Sequence, residues 1–125
     1  MIQYDFDPIQ SITRVTVSGE LRDAEVLSWF RGFLDDLRDA KQVSGIVDTR
    51  GVTDLNVTSE TVHQMTILVE GRQDVFTGSR WAFIADQDIV FGLSRMYQLL
   101  REEAPYEIRV FREMEPAREW FEEGA

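Results

Sequence analysis

The chain has 125 residues and a formal charge of −10, with no cysteine, one histidine and one lysine. That length suits one domain, and 43% hydrophobic residues exclude a disordered chain despite the charge. The lack of cysteine excludes a disulfide scaffold, and the negative charge argues against nucleic acid or an anionic membrane as the main partner. No apolar run approaches the roughly 20 residues that span a bilayer. We therefore expect a single soluble, cytoplasmic domain over residues 1–125.

The N-terminal part of the chain predicts a β-hairpin. Apolar and polar residues alternate over residues 2–6 and again over 12–17, which is the period of half-buried strands. The second strand is predicted to stop at the pair Ser18-Gly19, because glycine favours a turn.

A helix is predicted to follow, with Asp23 as its N-cap. Apolar side chains recur along it at spacings of three and four, at Ala24, Leu27, Phe30, Leu34 and Leu37. Trp29 and Phe33 widen this stripe, either as core residues or as a contact surface, and we favour the core.

The remainder alternates strands and helices. Short β-branched or apolar runs predict strands at residues 45–48, 81–85 and 107–111, and residues 49–57 are predicted to be a loop. Helix two is predicted to run from Thr58 to a C-terminal cap at Gly71. Its buried stripe is predicted to be Val62, Met65, Thr66 and Val69. Helix three is predicted to start at its cap Asp88 and to bury Ile89, Leu93, Met96 and Leu100. A final helix starts at Pro116 and presents Ala117, Trp120 and Phe121 on one face.

The predicted order of elements is β-β-α-β-α-β-α-β-α. Strict alternation after the hairpin indicates parallel strands joined by right-handed crossovers. The sequence therefore predicts an α/β fold with one mostly parallel sheet packed against helices.

Four sequence pieces, in this order, resemble a known family. They are a strand entering a turn at residues 15–21, a strand that ends in Asp-x-x-Gly-Val from Asp48 to Val52, a Phe-Gly-x-x-Arg that begins at Phe91, and a Glu-x-Ala-x-x-Trp that begins at Glu115. Together they make the chain similar to the STAS domain, the fold of bacterial anti-sigma-factor antagonists, and most similar to its SpoIIAA-like branch. That fold is also compared with the lipid-binding CRAL-TRIO domain.

The resemblance implies a phosphorylation site. In those antagonists a partner kinase modifies a serine at the start of the second helix, within Asp-Ser-Ser-Gly. Counting without gaps from Asp48 places this window at residues 56–59, so the implied phosphoacceptor is Thr58, with Ser59 beside it. Asn56 stands where the acid is expected, and the glycine is missing. The residues alone also fit an ordinary N-cap, which we favour.

Three carboxylates are predicted at the carboxyl end of the sheet, where ligands of parallel sheets bind. Asp48 and Asp86 end strands and Asp88 follows, and three carboxylates placed together there could hold Mg²⁺. Asp88 is also the predicted cap of helix three and Asp86 a natural turn residue, and we favour no metal site and no cofactor.

His63 is the single imidazole, but no Gly-x-Ser-x-Gly elbow accompanies it, so we expect no catalytic residues.

The motif Phe91-Gly92 with Arg95 is the hardest to explain structurally. Glycine within a helix costs about 1 kcal/mol relative to alanine, so it usually permits close packing or close approach of a ligand. Arg95 could clamp a carboxylate or phosphate, or pair with Asp88, Gln98 or Glu102, and we favour pairing.

Two functions remain. The first is a non-enzymatic regulatory module of STAS type that acts through protein contacts, with a homodimer as one option. The alternative is a carrier that binds a small apolar or anionic, lipid-like ligand between helices two and three. Its candidate ligand-binding residues are Asp48, Met65, Val69, Asp86, Phe91, Gly92, Arg95 and Met96.

Overall fold

The computed structural model describes residues 1–7, 9 and 11–123. The strands are β1 (Ile2–Asp7), β2 (Ile12–Arg22), β3 (Ser44–Asn56), β4 (Arg80–Ile84) and β5 (Glu107–Phe111). The helices are α1 (Asp23–Asp36), α2 (Ser59–Glu70), α3 (Gln73–Phe76), α4 (Asp88–Leu100) and α5 (Met114–Glu123).

The five strands form one sheet in the order β1-β2-β3-β4-β5. β1 pairs antiparallel with β2, and the other three pairings are parallel. The predicted α/β class and the order of its elements are confirmed. The four-residue α3, between α2 and β4, is an addition that the sequence did not predict.

Two apolar layers cover the two faces of the sheet. The larger layer joins one face of the sheet to α1, α2, α3 and α4, with Phe33, Val69, Phe76, Trp81 and Tyr97 among its buried residues. The smaller layer lies on the opposite face, where Ala117 and Trp120 of α5 cover Ile46, Ala82 and Ile84. The predicted apolar face of the final helix is therefore confirmed.

β2 and β3 are both longer than predicted. Residues 18–22 of β2 pair with residues 51–56 of β3, with register shifts between Thr16 and Ser18 and between Gly19 and Glu20. Gly19 has a positive φ of 73°, a conformation that suits glycine within a bulge. Because β4 pairs only with residues 45–48, this extension is a two-stranded ribbon with mostly polar, exposed side chains. The prediction of a loop at residues 49–57 was wrong, because β3 continues through this segment to Asn56.

The buried faces of two helices are rotated from the predicted ones. α4 buries Val90, Ser94 and Tyr97, whereas Ile89 and Leu100 are 64% and 39% exposed. Ser94 can be buried because its hydroxyl donates to the carbonyl of Val90 at 2.8 Å, which the apolar pattern could not reveal.

The aromatic residues of α1 belong to the core. α1 buries Val26, Phe33 and Leu34, while the predicted core residue Ala24 is exposed. Trp29 stacks on Phe33 with ring centroids 4.8 Å apart, and both pack in the larger apolar layer.

No helix in the described part of the chain is long and apolar enough to cross a membrane.

We predict opposite effects of alanine at two glycines. A Cβ at Gly92 would meet no atom within 4 Å, so Gly92→Ala should raise the free energy of unfolding by about 0.5–1 kcal/mol through helix propensity. A Cβ at Gly45 would lie 2.6 Å from the Trp81 ring and 2.7 Å from the carbonyl oxygen of Thr13. Gly45→Ala should therefore lower it by about 1–3 kcal/mol. Urea unfolding of both variants checks this, and a destabilised Gly92→Ala would show that Gly92 is packed.

Candidate functional site

The N-terminal ends of α1 and α2 are joined by a hydrogen-bonded contact between Asp23 and Thr58. The Asp23 carboxylate accepts from the backbone N–H of Thr58 at 2.8 Å, and its second oxygen lies 3.2 Å from the Thr58 hydroxyl. The Thr58 hydroxyl oxygen in turn accepts from the N–H of Thr61 at 3.4 Å. Thr58 is therefore the N-cap of α2, as predicted.

Asp23 is not the cap of its own helix. The N-cap of α1 is Arg22, which makes no side-chain cap hydrogen bond, and Asp23 is the first helical residue. Its carboxylate serves the neighbouring helix instead, because β2 and β3 are parallel and end side by side. The backbone N–H of Thr58, followed by the Thr61 side chain, lowers the pKa of Asp23.

Both residues of the implied phosphorylation site are exposed. Thr58 and Ser59 lie on the surface at the start of α2, where the free N–H groups and the helix dipole favour an anion. Asp23 and Glu60 already supply negative charge there, since Glu60 is in the first turn of α2. A phosphate on Thr58 would therefore compete with Asp23 for the same N–H groups.

Two of the three aspartates predicted at the carboxyl end of the sheet, Asp48 and Asp88, are paired with arginines. The Arg50 guanidinium donates two hydrogen bonds, of 2.9 and 2.8 Å, to the Asp48 carboxylate, and this contact lowers the pKa of Asp48. Asp88 is not the cap of α4, since the cap position is Gln87 and the Asp88 carboxylate pairs with Arg112 at 2.8 Å. In the described residues no three His, Cys, Asp or Glu side chains are grouped so as to hold a metal ion.

The Phe-Gly-x-x-Arg motif lies on the outer side of α4. The Arg112 guanidinium stacks 4.0 Å from the centre of the Phe91 ring, which ties the end of β5 to the start of α4. Gly92 faces open space, so the close approach that we inferred for it is not seen. Arg95 donates to the Gln98 side chain at 2.6 Å, which is one of the predicted pairings.

Two adjoining apolar cavities lie between the sheet and the helices α1, α2 and α4. Their volumes are about 50 and about 120 Å³. They share five lining residues, which are Phe30, Val47, Met65, Phe83 and Tyr97.

The cavities divide the predicted ligand-binding set. Met65 lines both cavities and Val69 lines the smaller one. The other six predicted residues line neither cavity, namely Asp48, Asp86, Phe91, Gly92, Arg95 and Met96. The structure therefore does not bring the predicted set together.

A buried arginine at the end of α4 was missed by sequence reasoning. Arg101 is only 5% exposed, and it donates to Glu70 at 3.2 Å, to Gln73 at 2.9 Å and to the Tyr106 hydroxyl at 3.3 Å. Tyr97, which lines both cavities, is buried near this group, and burial raises its pKa well above the ordinary value. The signal was the spacing of Val90, Ser94, Tyr97 and Arg101 along α4, which continues one helical face.

The comparison with solved structures supports the fold predicted from the sequence. A crystal structure of an uncharacterised DUF3478-family protein from Shewanella loihica PV-4, described as having a SpoIIAA-like fold, matches this chain with a TM-score of 0.59. The match covers 97% of this chain and 92% of that one at 14% sequence identity. No protein-family model matches the sequence, and neither does any curated protein. The chain therefore has a SpoIIAA-like fold.

We predict that the Asp23 contact makes stability depend on pH in a defined direction. Because the folded pKa of Asp23 is lowered, its stabilising effect is complete above the unfolded pKa of about 4 and is lost as the pH falls through the folded value. Asp23→Asn should therefore destabilise the protein at pH 7, and its difference from the wild type should shrink towards pH 2. Unfolding free energies across that range measure this. Asp39→Asn, at an exposed position after α1, is the control, and an equal pH profile in both variants would contradict the prediction.

Proposed function

We propose that this chain is a non-enzymatic regulatory module that acts through protein contacts at the N-terminal ends of α1 and α2. One observation carries the proposal. Thr58 is an exposed residue at a helix N-terminus, and its hydroxyl and backbone N–H contact a carboxylate from the neighbouring helix. A modification of this one side chain therefore changes a contact between two elements, and that is what a switch requires.

Phosphorylation of Thr58 would rearrange this end of the molecule. A phosphate adds about −1.5 to −2 charges, and it would take over the N–H groups that Asp23 and the hydroxyl now share. Repulsion between the phosphate and the Asp23 carboxylate would separate the two side chains. A partner that recognises the joined ends of α1 and α2 would then lose its surface.

The chemistry of this surface indicates the kind of partner. Arg22 pairs with Glu20 on the ribbon, but Asp23, Asp54 and Glu60 add three further acids there and at the two helix starts, so the surface is acidic, like the chain as a whole. A partner that presents basic residues fits it best. Asp48 and Asp88 are paired with arginines and His63 is exposed on α2, which also supports a binding role rather than catalysis.

Phosphate transfer tests this function directly. Incubation of the purified protein with labelled ATP and a lysate of its source cells should place phosphate on Thr58. Thr58→Val should abolish the label, while Thr58→Ser, which keeps both the hydroxyl and the cap, should retain it. Ser59→Ala is the matched control and should keep the label. Label that persists in Thr58→Val, or no label from cells grown under several conditions, would refute the switch.

The two apolar cavities favour a second candidate function, a carrier of a small apolar ligand. A dry apolar cavity of about 150 Å³ is large enough for a benzene-sized molecule, so the larger cavity, of about 120 Å³, is of the right order. Its lining includes the side chains of Met65, Phe83 and Tyr97. We propose one aromatic ring or a short alkyl chain as the class of ligand, rather than a long lipid.

A cavity-filling variant tests the carrier. Native mass spectrometry of freshly purified protein should show a bound small molecule, and saturating benzene should raise the melting temperature. Met65→Phe places a ring where both cavities meet and should remove both effects, whereas Ile67→Phe, at an exposed position on the same helix, should keep them. A wild-type protein without an adduct and without a benzene effect would exclude the carrier.

A further inference from the structure

At the outer edge of β1, backbone N–H and C=O groups point away from the sheet. Met1 and Ser18 exchange two backbone hydrogen bonds, of 2.6 and 2.9 Å. Bonded and non-bonded pairs alternate in an antiparallel ladder, so Gln3, Asp5 and Asp7 also bond to β2. The N–H and C=O groups of Ile2, Tyr4 and Phe6 therefore point outward, and none has a partner among the residues that the structure describes.

The opposite edge of the sheet is better protected. On β5 the outward carbonyl of Ile108 accepts a hydrogen bond from the Gln98 side chain at 2.9 Å. Charged side chains, a common protection of edge strands, do not distinguish the two edges, since β5 carries Glu107 and Arg109 and β1 carries Asp5 and Asp7. No side chain among the described residues donates such a hydrogen bond to the outward carbonyls of Ile2, Tyr4 and Phe6, which makes β1 the more exposed edge of the two.

The outward residues of β1 are also apolar. Ile2, Tyr4 and Phe6 alternate along the strand and so share one face of the sheet, the face covered by α1. Tyr4 is 38% exposed and Phe6 is 59% exposed. Free backbone groups thus coincide with exposed apolar side chains at Tyr4 and Phe6, and with a half-buried one at Ile2.

We propose that a second copy of this chain covers this edge, with β1 pairing antiparallel to β1 of the partner about a two-fold axis at Tyr4. This register places Tyr4 opposite Tyr4 and Ile2 opposite Phe6, so all three outward residues of each copy bond in pairs. On the other face of the sheet it places the Gln3 amide opposite the Asp5 carboxylate, which can hydrogen bond. The two sheets become one ten-stranded sheet.

The neighbouring registers are less favourable. A two-fold axis at Asp5 would put two aspartates directly opposite each other and would leave Ile2 unpaired. A two-fold axis at Gln3 would leave Phe6 unpaired. Only the register at Tyr4 satisfies both the backbone and the side chains, and this self-complementarity is the reason for a second copy as the occupant.

Cysteine cross-linking tests the register, because the chain has no cysteine of its own. In the proposed dimer residues 3 and 5 of opposite copies form a non-bonded pair, with Cα atoms about 4.5 Å apart, within the range of a disulfide. Oxidation of a mixture of Gln3→Cys and Asp5→Cys proteins should therefore give mainly the mixed disulfide. Preference for the Asp5→Cys or the Gln3→Cys homodimer would refute the register, and no dimer product would refute the interface.

Sedimentation velocity tests the interface without a covalent bond. The wild type should show a monomer–dimer equilibrium, and Phe6→Lys should weaken it at least about tenfold by placing a charge on the edge. Ile89→Lys replaces another exposed apolar residue, on α4, and should leave the dimer unchanged. A wild type that stays monomeric at the highest soluble concentration, or a dimer that Phe6→Lys does not weaken, would overturn the proposal.

Discussion

The parallel pairing of β2 with β3, β4 and β5 is the constraint on which the rest of the structure depends. Each crossover must return to the opposite end of the sheet, and each moves one strand further from β1. Since such crossovers are right-handed, steps in one direction place their helices on one face. The larger core and both cavities therefore lie on that face, while α5 alone covers part of the other. The same stepwise order leaves β1 and β5 as open edges.

The parallel pairing also brings together the two residues of the proposed switch, Asp23 and Thr58. Parallel strands end at the same side of the sheet, so α1 and α2 begin next to each other although 35 residues separate Asp23 from Thr58. A carboxylate on one helix can then serve the N-terminus of the other. Asp48 and Asp88 arrive at this side in the same way, but Arg50 and Arg112 bind them. Arginines therefore pair with these two carboxylates, whereas the Asp23 carboxylate contacts the exposed residue Thr58.

Sequence reasoning succeeded where one residue pattern determines the outcome and failed where a distant partner does. Apolar periodicity gave the class, the order of the elements and the final helix. It could not show that Ser94 and Arg101 are buried, because their partners lie in the backbone and on other elements. Asp23 has the residue type of a cap, but its hydrogen-bond partner lies on α2. The extension of β2 and β3 escaped detection because most of its side chains are polar, and its buried and half-buried apolar positions Val52 and Leu55 are three residues apart rather than the two of a regular strand.

The proposed dimer and the proposed switch are independent for a geometrical reason. Antiparallel pairing of two β1 strands turns the second sheet around, so the carboxyl ends of the parallel strands point in opposite directions in the two copies. The two Thr58 side chains then lie at opposite ends of the ten-stranded sheet, away from the two-fold axis at Tyr4. Phosphorylation of one copy would change the surface at its own end without adding charge beside the other. A dimer of this kind would therefore present two separate regulatory surfaces rather than one shared surface.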